Sequence, residues 1–295
     1  LSYVSLETSV WVAGEVLIDL ISNGAERSVI VGGGAANTAR ALAGLGIATS
    51  FIGGISSDEY GKRAAAELVD AGVILEFALQ SEFPSARALI EVSNGIPSYS
   101  FDLDETATFA FSDDWLPSGA PSALHIGSLA TVIKPGCGAL LEWASLVEAP
   151  IIFDPNIRPS VLGDVVEYRS LVAKWFGIAD VVKLSEEDLA FLGLENERDL
   201  LEFGPTLVVL TRGKDGMTAV TSEGVINVPG VAVEVIDTVG AGDTVGAVIA
   251  EAIAKFGLEK VAGDQLFATL TRAARAAAIT CSRAGAQPPK ASELA

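Results

Sequence analysis

Residues 237–246, Asp237-Thr238-Val239-Gly240-Ala241-Gly242-Asp243-Thr244-Val245-Gly246, set a glycine-rich turn directly before a long apolar stretch. Downstream, Val245, Val248, Ile249, Ala252, Ile253 and Phe256 fall on one helical face until Gly257 ends the pattern. Upstream, Val231, Val233 and Val235 alternate with period two, which predicts a strand. Glycines let the backbone approach an anion closely, and the unpaired N–H groups at a helix start then bind it. Asp243, in the first predicted turn, is placed to accept a proton from an attacking hydroxyl while backbone donors stabilise the charge on a transferring phosphoryl group. The competing reading is a plain loop with a helix acid favoured by the dipole.

Outward from this turn, apolar runs at 123–126, 150–153, 181–184 and 206–210 alternate with amphipathic stretches at 138–147 and 165–176. Short buried strands separated by helices predict a parallel sheet covered on both faces, and ligands then sit beyond the carboxyl ends of the strands. Asp154, Asn156, Lys183, Thr211 and Gly213 occupy such ends. The N-terminal third differs. Predicted strands at 15–21 and 27–31 flank Asn23-Gly24, and others at 87–91 and 98–102 flank Asn94-Gly95. These hairpins belong either to the main sheet or to a small separate sheet that would serve as a lid.

The 295-residue chain carries 50% hydrophobic residues and a formal charge of −19. That size suits one large core, and that charge argues against a nucleic-acid surface. A phosphate ligand would have to rely on local donors, a few cations and a metal ion. Two cysteines without ligand spacing fit a reducing compartment, and His125, the single histidine, rules out histidine-rich metal sites. No apolar stretch reaches membrane-spanning length, and the expectation is a soluble, cytoplasmic protein.

A second glycine-rich turn, Val31-Gly32-Gly33-Gly34-Ala35-Ala36-Asn37-Thr38-Ala39-Arg40, enters a helix ending near Leu45-Gly46. It fails the dinucleotide fingerprint, since Asn37 replaces the third glycine, and no Gly-Lys-Ser/Thr occurs for a P-loop. Gly33, Gly34 and Asn37 instead offer bare backbone and an amide to sugar hydroxyls. In Gly14-Glu15-Val16-Leu17-Ile18-Asp19-Leu20, Asp19 is expected at the end of the first strand, as a turn acid or an acceptor for hydroxyls. Arg158, in Asp154-Pro155-Asn156-Ile157-Arg158, either pairs with Asp154 or reaches a ligand. Ser185 and Asp188 have the spacing of a capping box.

With Asp-Thr-x-Gly-Ala-Gly-Asp near the C-terminus and the glycine turn at 31–40 in the expected order, the chain resembles the ribokinase-like (PfkB) carbohydrate kinases. Gly-Glu…Asp-Leu at 14–20, His-Ile-Gly-Ser-Leu at 125–129 and Cys-Ser-Arg-Ala-Gly-Ala at 281–286 resemble its fructokinase-like branch. The resemblance implies a three-layer α/β domain over 1–295, with a mostly parallel sheet and a small β lid from about 15–32 and 87–108. It implies ATP-dependent phosphoryl transfer, with Asp243 as base and Gly240, Ala241 and Gly242 as the anion hole. Asp19, Gly33, Gly34, Asn37, Phe101 and Arg158 would bind sugar. Lys183, Ser185, Thr211, Gly213, Gly216 and Gly242 would face the nucleotide. Mg²⁺ would lie near Asp188, through water because Asp replaces the family's Glu, and K⁺ near Asp237. Fructose, giving fructose 6-phosphate, is the leading substrate. 2-Keto-3-deoxygluconate, ribose or a nucleoside are alternatives set by lid side chains such as Tyr99, Phe101 and Thr106. A catalytically silent sugar-binding regulator is the reading from another class. The resemblance further implies a homodimer through the lids.

Overall fold

The computed structural model describes residues 8–24, 26–93 and 96–295. In chain order the elements are β1 (Ser9–Ala13), β2 (Leu17–Asn23), β3 (Glu26–Gly32), α1 (Gly34–Gly44), β4 (Ala48–Ile52), β5 (Gly54–Ser56), α2 (Glu59–Asp70), β6 (Leu79–Ser81), β7 (Arg87–Ser93) and β8 (Ile96–Asp102). They continue as β9 (Ala123–Gly127), α3 (Gly136–Leu146), β10 (Ile151–Asp154), α4 (Val165–Phe176), β11 (Val181–Ser185), α5 (Glu186–Leu192), β12 (Leu207–Thr211), β13 (Met217–Val220), β14 (Val225–Val228), α6 (Ala241–Phe256) and α7 (Gly263–Cys281).

Eight strands form the large sheet in the order β14-β13-β12-β11-β10-β9-β1-β4. All neighbours from β12 to β4 pair parallel, and β13 and β14 turn back antiparallel at the edge. Both faces are dry because side chains alternate into two cores. Val10, Val12, Ile152, Val181 and Val209 join α1, α6 and α7 on one side. Trp11, Ala13, Leu124, Phe153, Val182 and Leu184 join α3 and α4 on the other. The fold is therefore a three-layer α/β architecture, as the family resemblance implies, and its parallel strands all end on one side, where the two glycine turns lie.

The four hairpin strands build their own sheet, in the order β3-β2-β7-β8, with β2 and β7 parallel and both hairpins antiparallel. Its base is rooted in the molecule through buried Ile18 and Val31, while Ile30 and Leu89 are each 39% exposed. The Asn94-Gly95 turn lies outside the described residues.

Two sequence expectations are corrected. Asp19 does not end the first strand: β1 closes at Ala13, the chain crosses over at Gly14, and Asp19 sits in strand β2 of the small sheet, opposite Ile30 and Ala88. The alternating valines at 231–235 are not a strand. They are exposed, and the segment is held instead by the Ile236 N–H donating to Cys281 O at 2.8 Å. Alternation shows what two faces would be, but a strand also needs a neighbour along its edge.

Candidate active site

Two helix starts face the strand ends, and the carboxylates around them define the site. Gly240 takes a left-handed conformation (φ 80°) as the residue before α6, and no side chain among the described residues caps that helix. A Cβ at Gly240 would stand 2.6 Å from the Ala286 methyl, so glycine is required there for shape as well as for φ. The Ala241 N–H reaches back to Thr238 O at a long 3.3 Å. In the first turn, N–H groups have no intrahelical partner, so Gly242 and Asp243 present their donors at the positive end of the helix dipole. The end is built to receive an anion.

Asp243 is 8% exposed, and its Oδ2 accepts a 2.8 Å hydrogen bond from the Asn37 amide. Burial first, and then the neighbouring Asp154 carboxylate, push its pKa up to about 6, against the pull of Lys183, the Asn37 bond and Arg158. A buried carboxylate near neutrality is poised as a general base. Lys183, 4% exposed, donates to Asp154 Oδ2 at 2.7 Å. Its ammonium lies against the glycine turn before α6, since a Cβ at Gly242 would come within 2.9 Å of Nζ. Burial works against the Lys183 charge, but attraction to Asp154, with Asp188 and Asp243 beyond, outweighs it and holds the pKa above the ordinary lysine value.

The second glycine turn is occupied from within. Gly33 (φ 102°) bends the chain so closely that a Cβ would sit 2.6 Å from Glu15 O. The Gly34 N–H then donates to Glu15 Oε1 at 2.8 Å, and the Ala130 N–H to Oε2 at 3.3 Å. The Gly34 N–H is thus engaged within the protein. Burial raises the Glu15 pKa, opposed by its bonds to backbone and to Ser128. Glu15 escaped the sequence reading as a site residue; a glutamate between apolar strands, just before a glycine-rich turn, was the available signal.

Gly34, Ala35, His125, Gly127, Ser128, Asp154, Asn156 and Asp243 line a cavity of about 10 Å³. Asn156 is held there at φ 38°, a strained conformation for any residue but glycine. His125 forms part of the floor, with its pKa lowered to about 3 by burial first and the Lys183 charge second, so it is neutral. Asp19 of the small sheet and Arg158 interact electrostatically; burial raises the Asp19 pKa and Arg158 opposes that shift. Of the two readings of Arg158, the ion pair with Asp154 is not formed: Lys183 is the cation bonded to Asp154. The Arg158 guanidinium donates only to the carbonyls of Asn156 and Ile157, and it makes no ion pair among the described residues. Phe101 stands apart from the small cavity, in a neighbouring 680 Å³ cleft with Leu103, Ile133 and Val161.

Ser185 and Asp188 form the full capping box of α5. Asp188 Oδ2 accepts from Ser185 and Oδ1 from the Ile157 N–H at 2.7 Å, so the carboxylate ties the loop after β10 to β11. Thr211, Gly213 and Gly216 lie in the turn from β12 to β13, where the Thr211 hydroxyl donates to Leu184 O. Asp237 bridges two loops, accepting from the Val239 and Gly285 N–H groups at 3.0 and 2.8 Å. Among the described residues, no group of three or more His, Cys, Asp or Glu could hold a metal ion by itself.

The model of the pfkB family carbohydrate kinases matches residues 7–293. The chain belongs to that family. Membership makes it a phosphotransferase acting on an alcohol group of a carbohydrate. The fructokinase of Rhizobium leguminosarum bv. trifolii is 34% identical over 246 residues, 78% of this chain and 75% of that protein. A double mutant of the Vibrio cholerae O395 fructokinase, solved with fructose, ADP and potassium ion, superposes with a TM-score of 0.87 at 26% identity, covering 98% of this chain and 97% of its own. Aminoimidazole riboside kinase of Salmonella enterica, complexed with its riboside and an ATP analogue, gives a TM-score of 0.85 at 25% identity, covering 97% and 98%.

Proposed function

We propose that this carbohydrate kinase is a fructokinase, transferring the γ-phosphoryl group of ATP to the primary hydroxyl that gives fructose 6-phosphate. The observation that carries the chemistry is the buried Asp243 carboxylate, oriented by Asn37, one helical turn from an uncapped, glycine-opened helix start. Fructokinases among the relatives and structural neighbours supply the substrate class.

Asp243 holds its Oδ2 on Asn37, leaving Oδ1 to take the hydroxyl proton. Gly240, Ala241 and Gly242 orient the phosphoryl group with the first-turn N–H donors, and Lys183 adds positive charge beneath them. The uncapped donors and the open flank of Gly213, where nothing stands within 4 Å of a Cβ, fit a nucleotide phosphate chain reaching from Thr211 and Gly216. Mg²⁺, bound with ATP, would supply charge neutralisation while keeping most of its waters. Asp188 contributes through water at most, since protein donors already engage both its oxygens. A monovalent cation such as K⁺ would lie near Asp237 rather than directly on it, since the Val239 and Gly285 N–H groups already engage both carboxylate oxygens.

Asp19, Arg158, Asn37 and the glycine turn at Gly33 and Gly34, packed against Glu15, would hold the sugar, with Phe101 at the outer cleft. The four-stranded sheet would close over it and exclude water. Exposed Ile30 and Leu89 support a homodimer through these lids; sedimentation as a monomer at working concentration would count against it. Among the described residues no helix is long and apolar enough to cross a membrane, and we place the reaction in the cytoplasm. The spare charge of Arg158 favours one second reading, a carboxylated sugar such as 2-keto-3-deoxygluconate.

ADP release with Mg-ATP across fructose, 2-keto-3-deoxygluconate, ribose, glucose and adenosine tests the proposal. Fructose should lead, and Asp243→Asn should cost at least about 10²-fold in kcat. Unchanged turnover in that variant overturns the base assignment, and silence on every sugar overturns the substrate class.

A further inference from the structure

Asn37 orients the base, and something must orient Asn37. An amide can present either its NH₂ or its oxygen to Asp243, and the two faces have opposite effects on a carboxylate: a donor favours the ionised form, whereas an acceptor demands a proton on it. One turn further along α1, Arg40 Nη2 donates to Asn37 Oδ1 at 2.5 Å and to Val31 O at 3.3 Å. A guanidinium has no acceptor, so the Asn37 oxygen must face Arg40 and the NH₂ must face Asp243. Arg40 is in turn held from α2, where Glu67 Oε2 lies 3.9 Å from Nη1.

We infer that Arg40 is a positioning residue of the transfer reaction, locking the Asn37 amide so that Asp243 meets a donor and stays ionised. The inference rests on the reading of Asp243 as base. The other groups facing Asp243 do not substitute for this lock. Lys183 from β11 is already committed to Asp154 of β10, Arg158 is bonded to backbone carbonyls, and His125 of β9 is a neutral neighbour in the cavity. Without Arg40 the amide is free to turn its oxygen toward Asp243, and a nearby positive charge is lost as well. Both changes favour the protonated acid, so activity that needs the ionised base should be lost from the acid side.

The test is the pH profile of kcat/KM for fructose in wild type, Arg40→Met and Arg40→Lys, together with titration of the Asp243 carboxyl by ¹³C NMR in the sugar-free protein. In Arg40→Met the acid limb and the carboxyl titration should both move up by about one pH unit, the size of one charge-assisted hydrogen bond. Turnover then falls about tenfold at pH 5.5 and recovers toward wild type by pH 8.5. Arg40→Lys, which keeps a charged donor, should restore most of the shift. Arg40→Gln, two bonds shorter, should behave like Met and serves where Met impairs folding. A limb that stays in place, or a loss equal at every pH, overturns the inference. If Asp243→Asn retains turnover, the base reading fails instead, and the NMR titration still decides whether Arg40 sets the ionisation of Asp243.

Discussion

The two glycine-opened helix starts, at Gly33 before α1 and Gly240 before α6, share backbone chemistry and differ in what satisfies them. Both glycines have positive φ, at 102° and 80°, and at both a Cβ would meet a neighbour at 2.6 Å. At α1 the protein inserts its own acceptor: the Glu15 carboxyl lies in the helix mouth and takes the Gly34 N–H. At α6 no side chain caps the helix, and the carboxylate in its first turn, Asp243, is engaged sideways by Asn37. One start is thus satisfied from within, and the other is left without a side-chain partner among the described residues. Glycine-rich turns alone do not mark a phosphate site; what matters is whether the fold brings an internal acceptor to them.

The strongest way to break this contrast is Gly240→Ala. Its methyl would collide with Ala286 and displace the first-turn donors, so kcat should fall about 10²-fold, the scale of losing a preorganised donor to developing charge. Steady-state kinetics with Mg-ATP would show it, and a kcat within threefold of wild type would mean that the α6 start is not the anion site.

Next in size is the stability of Asp243→Asn. The Asp243 pKa is about 6 when folded, against 3.8 as the ordinary value. A raised folded-state pKa stabilises the fold fully below pH 3.8 and loses that contribution as pH rises through 6. The neutral variant escapes the loss. It should therefore be more stable than wild type above pH 6, by at most about 3 kcal/mol, with the difference fading toward pH 4. Urea midpoints at pH 4.5 and 8 read this directly, and equal midpoints at pH 8 would remove the strained character of the open end.

Gly33→Ala should act on the scaffold. Strain at positive φ and a methyl pressed on Glu15 O should cost about 2 kcal/mol of stability, seen as a lower urea midpoint. A loss of activity with no change in stability would show that the α1 start is more than scaffold.

The smallest effect is anion linkage. Inorganic phosphate at several times its dissociation constant should raise wild-type stability by about 1 kcal/mol, and Gly240→Ala should not respond. Equal protection of both proteins would move phosphate to another surface.

Much of this site is legible along the chain because its chemistry is local. Gly240 to Asp243 are consecutive, the Ser185–Asp188 capping box needs only three-residue spacing, and the buried strands at 123–126, 150–153 and 181–184 declare themselves by length and apolarity. What escaped reading depended on distant partners. Glu15 reaches residues 34 and 130, and Asp154 pairs with Lys183 rather than Arg158, although Arg158 is nearer in sequence. The valines at 231–235 alternate correctly but find no strand to join. Asp19 reads as a strand-end acid until the crossover at Gly14 carries it into the small sheet.

By itself the sequence determined the layered α/β class, the two helix starts and the carboxylate beside the second, because periodicity, glycine placement and capping act within a few residues. Only the tertiary structure decided which start stays open, which lysine lies beneath it and which amide holds the base. Those choices depend on where strands far apart in the chain end in space, and on burial, which shifts the ionisation of Asp243 only once the surrounding layers have closed around it.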